Sequence, residues 1–587
     1  MVAGHQSRAV RAALLRYPTP DGRRWLRFDD PEESITAWTL DQVVPALDRA
    51  QVAADDGSWV VGLVAYDAAP AFESRIRVVR DLTVPLVAFG VFPAAAPSRG
   101  PAGDRYKLGE WTASRTRDAY LADLERVHEL IAAGETYQLN YTMRLTADFD
   151  GDPLGLFSAL SRAQRAEHMA YVDLGDAAVC SASPELFLRR SSSVLSTRPM
   201  KGTRPRDPDP IIDSRLADEL VRSAKDRAEN TMIVDMVRND LGRIAEVGSV
   251  AVPDLYSVEH YPTVHQMTST VEAVSEVDLG SLFAATFPAA SITGAPKVRT
   301  GGLIAELEAT PRGVYTGAVG AIEPGGDLEF NVAIRTVWVD RVQASATYGI
   351  GGGIVWDSVG DAEWTEAIDK ARILARCGED FRLLETMLCE PGAGVVLLER
   401  HLDRLGATAE HFGFDVNLAE IRRLITAQRP DVASIFRLLV DADGAAEFEV
   451  VALPEAASTY RVAIDSEPVD RQDEFLFHKT TRRDRYDQAR GRFADADDVL
   501  LYNTDGEVTE TTIGNLVIDL DGKLVTPARQ SGLLAGTFRT ELLEAGKISE
   551  QVVHLDDLAR SERIWMINSV RGWVQLELVG EPQRALR

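Results

Sequence analysis

The feature that most constrains the fold is a predicted alternation of strands and helices that stops near residue 378 and begins again at Phe381. After the break, FRLLETML and GVVLLE are typical of a β-hairpin, and HLDRLGATAEHFGF is typical of a helix that ends at a glycine. A chain of 587 residues is also too long for one hydrophobic core. The sequence therefore predicts two α/β parts that meet near residues 378–381.

The first part divides again by its predicted elements. Residues 1–110 contain short strand patterns such as WVVGLVAYDAAPAF and LTVPLVAFGVF. Residues 111–378 contain a helix with apolar residues at helical spacing from Tyr120 to Ile131, and later several successive strands. Residues 379–587 form the last domain. The predicted fold class is α/β, with α+β character in its strand-rich regions.

Charge and cysteine usage exclude several classes of function. The net charge of −27 argues against nucleic acid and against an anionic membrane surface. The apolar runs are too short to span a bilayer, and the first residues have no signal-peptide pattern. Three cysteines without a CxxC pair fit a reducing compartment. These observations predict a cytoplasmic protein.

Two pairs of carboxylates have the spacing of one helix face. Asp226 and Glu229 are three residues apart, as are Glu363 and Glu366. Two such helices could hold Mg²⁺, which takes oxygen ligands and keeps waters, although the spacing alone favours solvated helix faces. Lys370 lies one turn after Glu366, where it could pair with that glutamate or meet a ligand carboxylate.

The glycine run in IGGGIV is not a phosphate-binding loop. It lies between strand patterns and has no lysine followed by Ser or Thr. Close approach of backbone N–H groups to a ligand, around Gly351 and Gly352, explains these glycines better.

Taken together, the motifs of residues 110–375 resemble the chorismate-utilising enzymes. The motifs that carry the resemblance occur in the order GETYQLN, SPELF, PMKGTRP, KDRAENTMIVDMVRNDLG, SITGAPK, VYTGAVG, FNVAIRT and EWTEAIDKA. The resemblance implies a large β-sandwich with helices, a site between its sheets, chorismate as the substrate and Mg²⁺ as a cofactor.

Two positions discriminate within this family. Isochorismate and salicylate synthases carry a water-activating lysine where this chain has Gln138, so the resemblance implies ammonia as the nucleophile. Anthranilate synthases carry alanine in place of Lys201, whereas aminodeoxychorismate synthases carry lysine. The resemblance therefore implies that Lys201 attacks C2 of chorismate while the 4-hydroxyl leaves, and that ammonia then adds at C4.

The resemblance also implies roles for other residues. Glu185 is the general acid, and Mg²⁺ is held mainly by Glu229 and Glu366, with Asp226 and Glu363 as weaker ligands. For His265, a buried structural histidine is an equal alternative to a ring contact. The residues expected to contact substrate are Tyr315, Arg335, Gly351, Gly352, Lys370, Thr293 and His265.

The sequence shows no source of ammonia of its own. None of the three cysteines lies in a Gly-x-Cys-x-Gly elbow suited to a glutaminase nucleophile. A separate glutaminase subunit is therefore the implied partner, with free ammonia as a poorer substitute.

From about residue 381 to 575 the chain resembles fold-type IV pyridoxal phosphate enzymes. HKTTRRDRY, YNTDGEVTETTIGNLVIDLDGKLVTP and SGLLAGTFRTELL carry the resemblance. It implies that Lys479 forms the Schiff base with pyridoxal 5'-phosphate, that Glu510 pairs with the pyridinium nitrogen and that Arg404 meets the phosphate. The remaining implied cofactor contacts are Asn515, Gly536, Thr537 and Phe538.

Two departures from fold-type IV enzymes keep alternatives open. The opening strands are short, and the phosphate turn reads Gly-Thr-Phe-Arg where Gly-Ile-Thr-Arg is common. The favoured interpretation is a bifunctional enzyme that makes 4-amino-4-deoxychorismate and then eliminates pyruvate to give 4-aminobenzoate for folate. The alternatives for the C-terminal domain are a different aminotransferase and a non-catalytic docking module. Since fold-type IV enzymes are usually dimers, a homodimer through this domain is also expected.

Overall fold

The computed structural model describes residues 8–19, 22–377, 381–453 and 458–579. The chain divides into two compact units, the first comprising Met1–Pro205 and Leu216–Glu379 and the second Arg206–Arg215 and Asp380–Arg587. A short segment from within the predicted range 111–378 is therefore grouped with the second unit. The domain boundaries drawn from the sequence stay predictions.

Two antiparallel sheets form the framework of the first unit. Among the described residues, one sheet has 11 strands, in the order Gly294–Ala295, Gln138–Gly151, Ser345–Ile354, Thr336–Asp340, Ala177–Ser183, His168–Asp173, Ala12–Thr19, Gly22–Asp29 and Ala96–Ser98, with Tyr106–Leu108 and Thr112–Ala113 beside Gln138–Gly151. The other has 10 strands, in the order Met200–Pro205, Val264–Val274, Val194–Arg198, Leu186–Ser191, Leu328–Val332, Ala318–Ile322, Trp59–Val64, Val87–Phe92 and Glu33–Ala37, with Ala251–His260 beside Val264–Val274.

The two sheets share one hydrophobic core and each has a second core on its other face. Leu15 and Tyr17 of one sheet and Val61 and Leu63 of the other belong to the shared cluster. Their neighbour Leu14 belongs to a different cluster on the opposite face. Because successive residues of a strand point to opposite faces, strands with apolar residues on both faces are buried between two layers. This pattern confirms the sandwich that the sequence predicts.

Helices cover the outer faces of the sandwich. Those in the first part of the chain are Leu40–Asp55, Arg117–Ala132, Pro153–Gln164, Pro210–Arg222, Ala224–Gly242, Leu279–Thr286, Lys297–Leu307, Gly360–Asp369 and Arg372–Arg376, with 3₁₀ turns at Tyr66–Ala71 and Ala290–Ile292. The helices Pro210–Arg222 and Ala224–Gly242 are separated at Ser223, whose hydroxyl accepts a hydrogen bond from the Asp226 N–H and caps the second helix.

The second unit contains two further sheets. A 4-stranded antiparallel sheet has the order Gly394–Val395, Leu383–Glu390, Ser434–Val440 and Ala446–Ala452. An 8-stranded mixed sheet has the order Val508–Thr511, Asp498–Tyr502, Thr459–Ile464, Gly572–Val579, Ile564–Asn568, Asn515–Leu520, Lys523–Pro527 and Ser549–Gln551. The helices are Leu398–Phe412, Leu418–Thr426, Asp484–Arg492, Thr537–Glu544 and Leu555–Arg560, with 3₁₀ turns at Glu474–Leu476 and Arg529–Ser531.

Within the described ranges, no helix combines the length and the apolar character needed to cross a bilayer.

Candidate active sites

A cavity of about 290 Å³ in the first unit collects most of the predicted site residues. It lies where the edge strand Met200–Pro205 of one sheet approaches the strand Ser345–Ile354 of the other, beside the helices Ala224–Gly242 and Gly360–Asp369. The predicted residues that line it are Glu185, Lys201, Asp226, Glu229, Tyr315, Arg335, Gly351, Gly352, Glu363, Glu366 and Lys370.

Two predicted substrate contacts lie elsewhere. Thr293 is buried, and its hydroxyl donates to the Ala289 carbonyl at 3.0 Å, so it stabilises a turn. His265 is buried against the ring of His260, with 2.7 Å between the two Nδ1 atoms. Neither residue is among those that line the cavity. For His265 the structure favours the structural alternative.

Lys201 and Gln138 approach each other behind Gly353. A Cβ atom built on Gly353 would lie 2.5 Å from Lys201 Nζ and 2.5 Å from Gln138 Nε2, so these two nitrogen atoms are no more than about 5 Å apart. Gln138 is fully buried, and among the described residues neither of its amide atoms has a hydrogen-bond partner. A buried amide without partners is costly, so it is suited to a ligand or to the lysine amine.

Burial shifts the protonation of Lys201 and Glu185 in opposite directions. Burial, together with the charge of Lys370, lowers the pKa of Lys201, although Glu229 and Glu185 oppose this shift. Burial raises the pKa of Glu185 to about 7, even though its Oε1 accepts a 2.5 Å hydrogen bond from the Ser291 hydroxyl. Burial therefore favours the neutral amine of Lys201 and the protonated carboxyl group of Glu185.

The other carboxylates, Glu229, Glu363 and Glu366, form an acidic wall of this cavity. Burial raises the pKa of Glu229, and burial together with Glu366 raises that of Glu363. Lys370 lowers the pKa of Glu366 through a 2.7 Å ion pair and also donates to the Gly351 carbonyl at 2.8 Å. Lys370 therefore pairs with Glu366, which is one of the two roles that the sequence left open, and it links that glutamate to the strand Ser345–Ile354.

The donor set suits a hard divalent cation that keeps some of its waters. Asp226 is already paired with Arg204 at 2.8 Å, which makes it a poor ligand. Within the described residues, no three carboxylate, imidazole or thiolate groups converge on one point as in a closed metal site. Glu229, Glu363 and Glu366 nevertheless line the same cavity. The pKa values of Glu229 and Glu363 are raised, and Lys370 compensates the charge of Glu366. Such a set is expected where Mg²⁺ binds through one or two carboxylates and water.

A buried ionic network lies behind Tyr315. The Arg144 guanidinium lies 4.8 Å from the centre of the Tyr315 ring, and Glu308 holds both Arg144 and Arg312. A Cβ atom on Gly349 would lie 2.3 Å from Tyr315 Cγ, so only glycine leaves room for the ring. These contacts fix Tyr315 in the cavity wall, and motif matching alone did not find them.

A second cavity, of about 370 Å³, lies in the second unit around Lys479. The predicted residues that line it are Arg404, Lys479, Glu510, Asn515, Gly536 and Thr537. Burial and the charge of Arg404 lower the pKa of Lys479 to about 8. Phe538 is different, because its side chain packs into a neighbouring hydrophobic cluster and does not line the cavity.

Glu510 is held at the inner end of this cavity by three hydrogen bonds. Tyr486 donates from its hydroxyl at 2.8 Å, Asn515 from its amide at 3.1 Å and Leu534 from its backbone N–H at 3.2 Å. Burial still raises the pKa of Glu510 to about 7. Such a carboxyl group is suited to sharing a proton with a ring nitrogen.

The opposite end is built for an anion. The helix Thr537–Glu544 begins at Gly536, whose N–H donates to Asn515 Oδ1 at 3.1 Å. Arg404 lies beside it, held by two hydrogen bonds of 2.8 and 2.6 Å to Glu385. The start of a helix next to a guanidinium suits a phosphate. Because Glu385 already neutralises Arg404, the helix terminus carries much of this function.

Sequence reasoning missed several groups in both sites. Ser291 and Tyr486 lie inside quoted motifs, SITGAPK and HKTTRRDRY, and could have been found by asking which hydroxyls face Glu185 and Glu510. The role of Glu385 could not be inferred from the sequence, because it is one acidic residue in an ordinary strand pattern.

Comparison with known proteins agrees with this geometry. Residues 94–376 match the model of the chorismate binding enzymes, and residues 382–579 match that of the class IV aminotransferases. The chain is 36% identical to aminodeoxychorismate synthase component 1 of Escherichia coli over 385 residues, which is 60% of this chain and 83% of that protein. The chain belongs to the chorismate-binding enzyme family.

This chorismate-binding enzyme is also 38% identical to anthranilate synthase component 1 of Thermus thermophilus over 291 residues, covering 48% of this chain and 62% of that protein. Its fold is similar to that of the solved anthranilate synthase component I of Streptococcus pneumoniae, with a TM-score of 0.51 and 24% identity over 62% of this chain and 91% of that one. Overall sequence identity does not distinguish aminodeoxychorismate synthases from anthranilate synthases. The distinction must therefore rest on the residues of the cavity.

Proposed function

We propose that this chorismate-binding enzyme aminates chorismate at C4 and that its class IV aminotransferase domain then eliminates pyruvate, giving 4-aminobenzoate. The observation that supports the first step most directly is Lys201, an amine of lowered pKa in the cavity that the chorismate-binding residues line. Its neighbour Glu185 has a raised pKa. The similarity to aminodeoxychorismate synthase component 1 agrees with this choice.

In the first cavity, the neutral amine of Lys201 adds to C2 of chorismate. The ring double bonds shift, and the C4–O bond breaks while Glu185 donates its proton to the leaving hydroxyl, releasing water. Ammonia then adds at C4, and the bond from Lys201 to C2 breaks. The net reaction converts chorismate and ammonia to 4-amino-4-deoxychorismate and water.

The other residues of this cavity hold the substrate. Arg335 and the N–H groups around Gly351 and Gly352 bind one carboxylate. Glu229 and Glu366, assisted by Glu363, would hold Mg²⁺, which supplies positive charge for the other carboxylate. The amide of Gln138, which has no hydrogen-bond partner in the described part of the chain, lies within reach of the amine of Lys201 and is suited to orienting it or the incoming ammonia.

Pyridoxal phosphate, when bound in the second cavity, supplies an electron sink for the substrate carbon that bears nitrogen. Lys479 would accept the proton from this carbon and return it to the methylene group of the enolpyruvyl ether, so that pyruvate leaves and the ring becomes aromatic. Glu510 would hold a proton at the ring nitrogen of the cofactor, and the helix that begins at Thr537 would hold its phosphate.

Ammonia would come from a separate glutaminase subunit. Relatives named component 1 support a partner component. A dimer formed through the second unit stays a prediction.

One product assay tests the whole proposal. The purified chain with chorismate, Mg²⁺, pyridoxal phosphate and an ammonium salt is expected to release 4-aminobenzoate and pyruvate in equal amounts. Glutamine in place of ammonium is expected to give no product until a glutaminase is added. Accumulation of 4-amino-4-deoxychorismate would refute the lyase step, and anthranilate as the product would refute the role of Lys201.

Gly353→Ala tests the contact between Lys201 and Gln138. The added methyl group would overlap both nitrogen atoms and displace the lysine, so we expect the amination rate to fall about 100-fold. The control is Gly302→Ala, in the helix Lys297–Leu307, whose new methyl group meets no atom within 4 Å. It should leave the rate unchanged and raise stability by about 0.5–1 kcal/mol. Equal rates in the two variants would contradict this geometry.

A further inference from the structure

The second cavity carries more positive charge than its cofactor requires. Its lining includes Arg404, Arg437, Lys479, Arg483 and Arg571 but, among the described residues, a single carboxylate, Glu510. The chain as a whole has a net charge of −27. A local excess of guanidinium groups in so acidic a protein indicates an anionic ligand.

Two of these arginines are already engaged. Arg404 makes a two-pronged ion pair with Glu385. Arg483 donates to the Thr512 carbonyl at 2.7 Å, and its guanidinium lies 4.8 Å from the centre of the Tyr486 ring. Both guanidinium groups are therefore bound to protein groups around the cavity.

Arg437 and Arg571 are different. Across the described ranges, neither guanidinium makes an ion pair or a hydrogen bond, although both line the cavity. Arg437 lies on the strand Ser434–Val440, where Glu449 is directly opposite on the next strand, yet the two form no ion pair. Opposite charges directly across two strands attract each other. Arg437 instead reaches the cavity.

Arg571 is presented by a fixed turn. It follows the strand Ile564–Asn568 and precedes Gly572–Val579. Asn568 Oδ1 accepts hydrogen bonds from the N–H groups of Arg571, at 2.8 Å, and of Val570, at 3.0 Å. The backbone that carries the guanidinium is therefore preorganised, as in a built ligand site.

We propose that Arg437 and Arg571 form a carboxylate-binding subsite that selects ring substrates with two carboxylates. The proposal rests on the assignment of this cavity as a pyridoxal phosphate site and deepens it. The phosphate takes the helix terminus at Thr537, so the two unengaged guanidinium groups remain for substrate. Leu384, Ile435 and Val451 line the same cavity and suit the faces of a carbon ring. A branched-chain amino acid has one carboxylate and would leave a guanidinium unpaired.

Binding of two simple probes to the holoprotein tests the subsite. Isophthalate carries two carboxylates on one ring, and benzoate carries one. By titration calorimetry we expect the native chain to bind isophthalate at least about tenfold more tightly than benzoate, because one more charge-assisted hydrogen bond is formed. Arg437→Gln or Arg571→Gln should remove that preference. Isophthalate held in the first cavity would be unaffected by either substitution.

The matched control is Arg461→Gln, which changes an exposed arginine of the strand Thr459–Ile464 that does not line the cavity. It should retain the native preference. The subsite is refuted if both cavity variants also retain it. The visible absorption of bound pyridoxal phosphate is recorded in the same samples. If that absorption is absent in the native chain but the preference for isophthalate depends on both arginines, the subsite stands and the lyase proposal fails.

Discussion

Lys201→Ala is expected to reduce amination of chorismate at C4 by at least about a thousandfold, because the variant has no amine to add at C2. The cavity residues that bind the substrate are untouched, so chorismate should still bind with similar affinity. Without the lysine, C2 becomes accessible to ammonia, and any residual amination is expected there. Product analysis by chromatography, with chorismate, Mg²⁺ and ammonium, measures both the loss and the position of the nitrogen.

Lys107→Ala is the matched control, since Lys107 is an exposed lysine of the strand Tyr106–Leu108 outside the cavity. It should aminate at the native rate. Thermal unfolding of both variants establishes that the fold is retained. Amination at C4 by Lys201→Ala at the native rate, with no adduct of Lys201 trapped on the native enzyme, would refute the proposed nucleophile.

Most residues that the sequence predicted for the first site line one cavity, because they are concentrated in short motifs. Lys201, Glu185 and the glycines of IGGGIV each lie in a segment whose residues act together, and the structure places all of them at one cavity. Thr293 is not among the residues that line the cavity. It lies in the motif SITGAPK, but the residues of that motif that line the cavity are Ser291, which donates to Glu185, and Ile292. A motif locates a segment, whereas the direction of each side chain depends on the turn that carries it.

What the sequence could not provide depends on contacts between distant segments. Glu385 and Arg404 lie on different elements, and nothing in either pattern predicts their ion pair. Among the described residues, the amide of Gln138 and the guanidinium groups of Arg437 and Arg571 have no partner, and this depends on their three-dimensional surroundings.

The two cavities share one electrostatic feature, a buried lysine and a buried glutamate whose pKa values shift in opposite directions. In each, burial lowers the pKa of one lysine, Lys201 or Lys479, and raises the pKa of one glutamate, Glu185 or Glu510, to about 7. The neutral amine is fully available only above its own pKa, and the protonated carboxyl group only below its own. In both cavities burial therefore favours the neutral form of the lysine and the protonated form of the glutamate.

Lys479→Ala should separate the two activities. The variant cannot form the covalent link to pyridoxal phosphate, so its visible absorption should be lost and release of 4-aminobenzoate should fall by at least about a thousandfold. Amination depends on a cavity in the other unit and should continue at the native rate. With chorismate, Mg²⁺ and ammonium, 4-amino-4-deoxychorismate should therefore accumulate.

Lys523→Ala, at an exposed lysine of the strand Lys523–Pro527, is the control that should keep both the absorption and the aromatic product. The alternatives predict different results. A docking module would give no visible absorption even in the native chain, and native and Lys479→Ala proteins would both accumulate the intermediate. A different aminotransferase would show the absorption without releasing pyruvate from the intermediate. Only for a lyase should the absorption, the pyruvate and the 4-aminobenzoate all depend on Lys479. In that case Lys479 transfers the proton that allows pyruvate to leave.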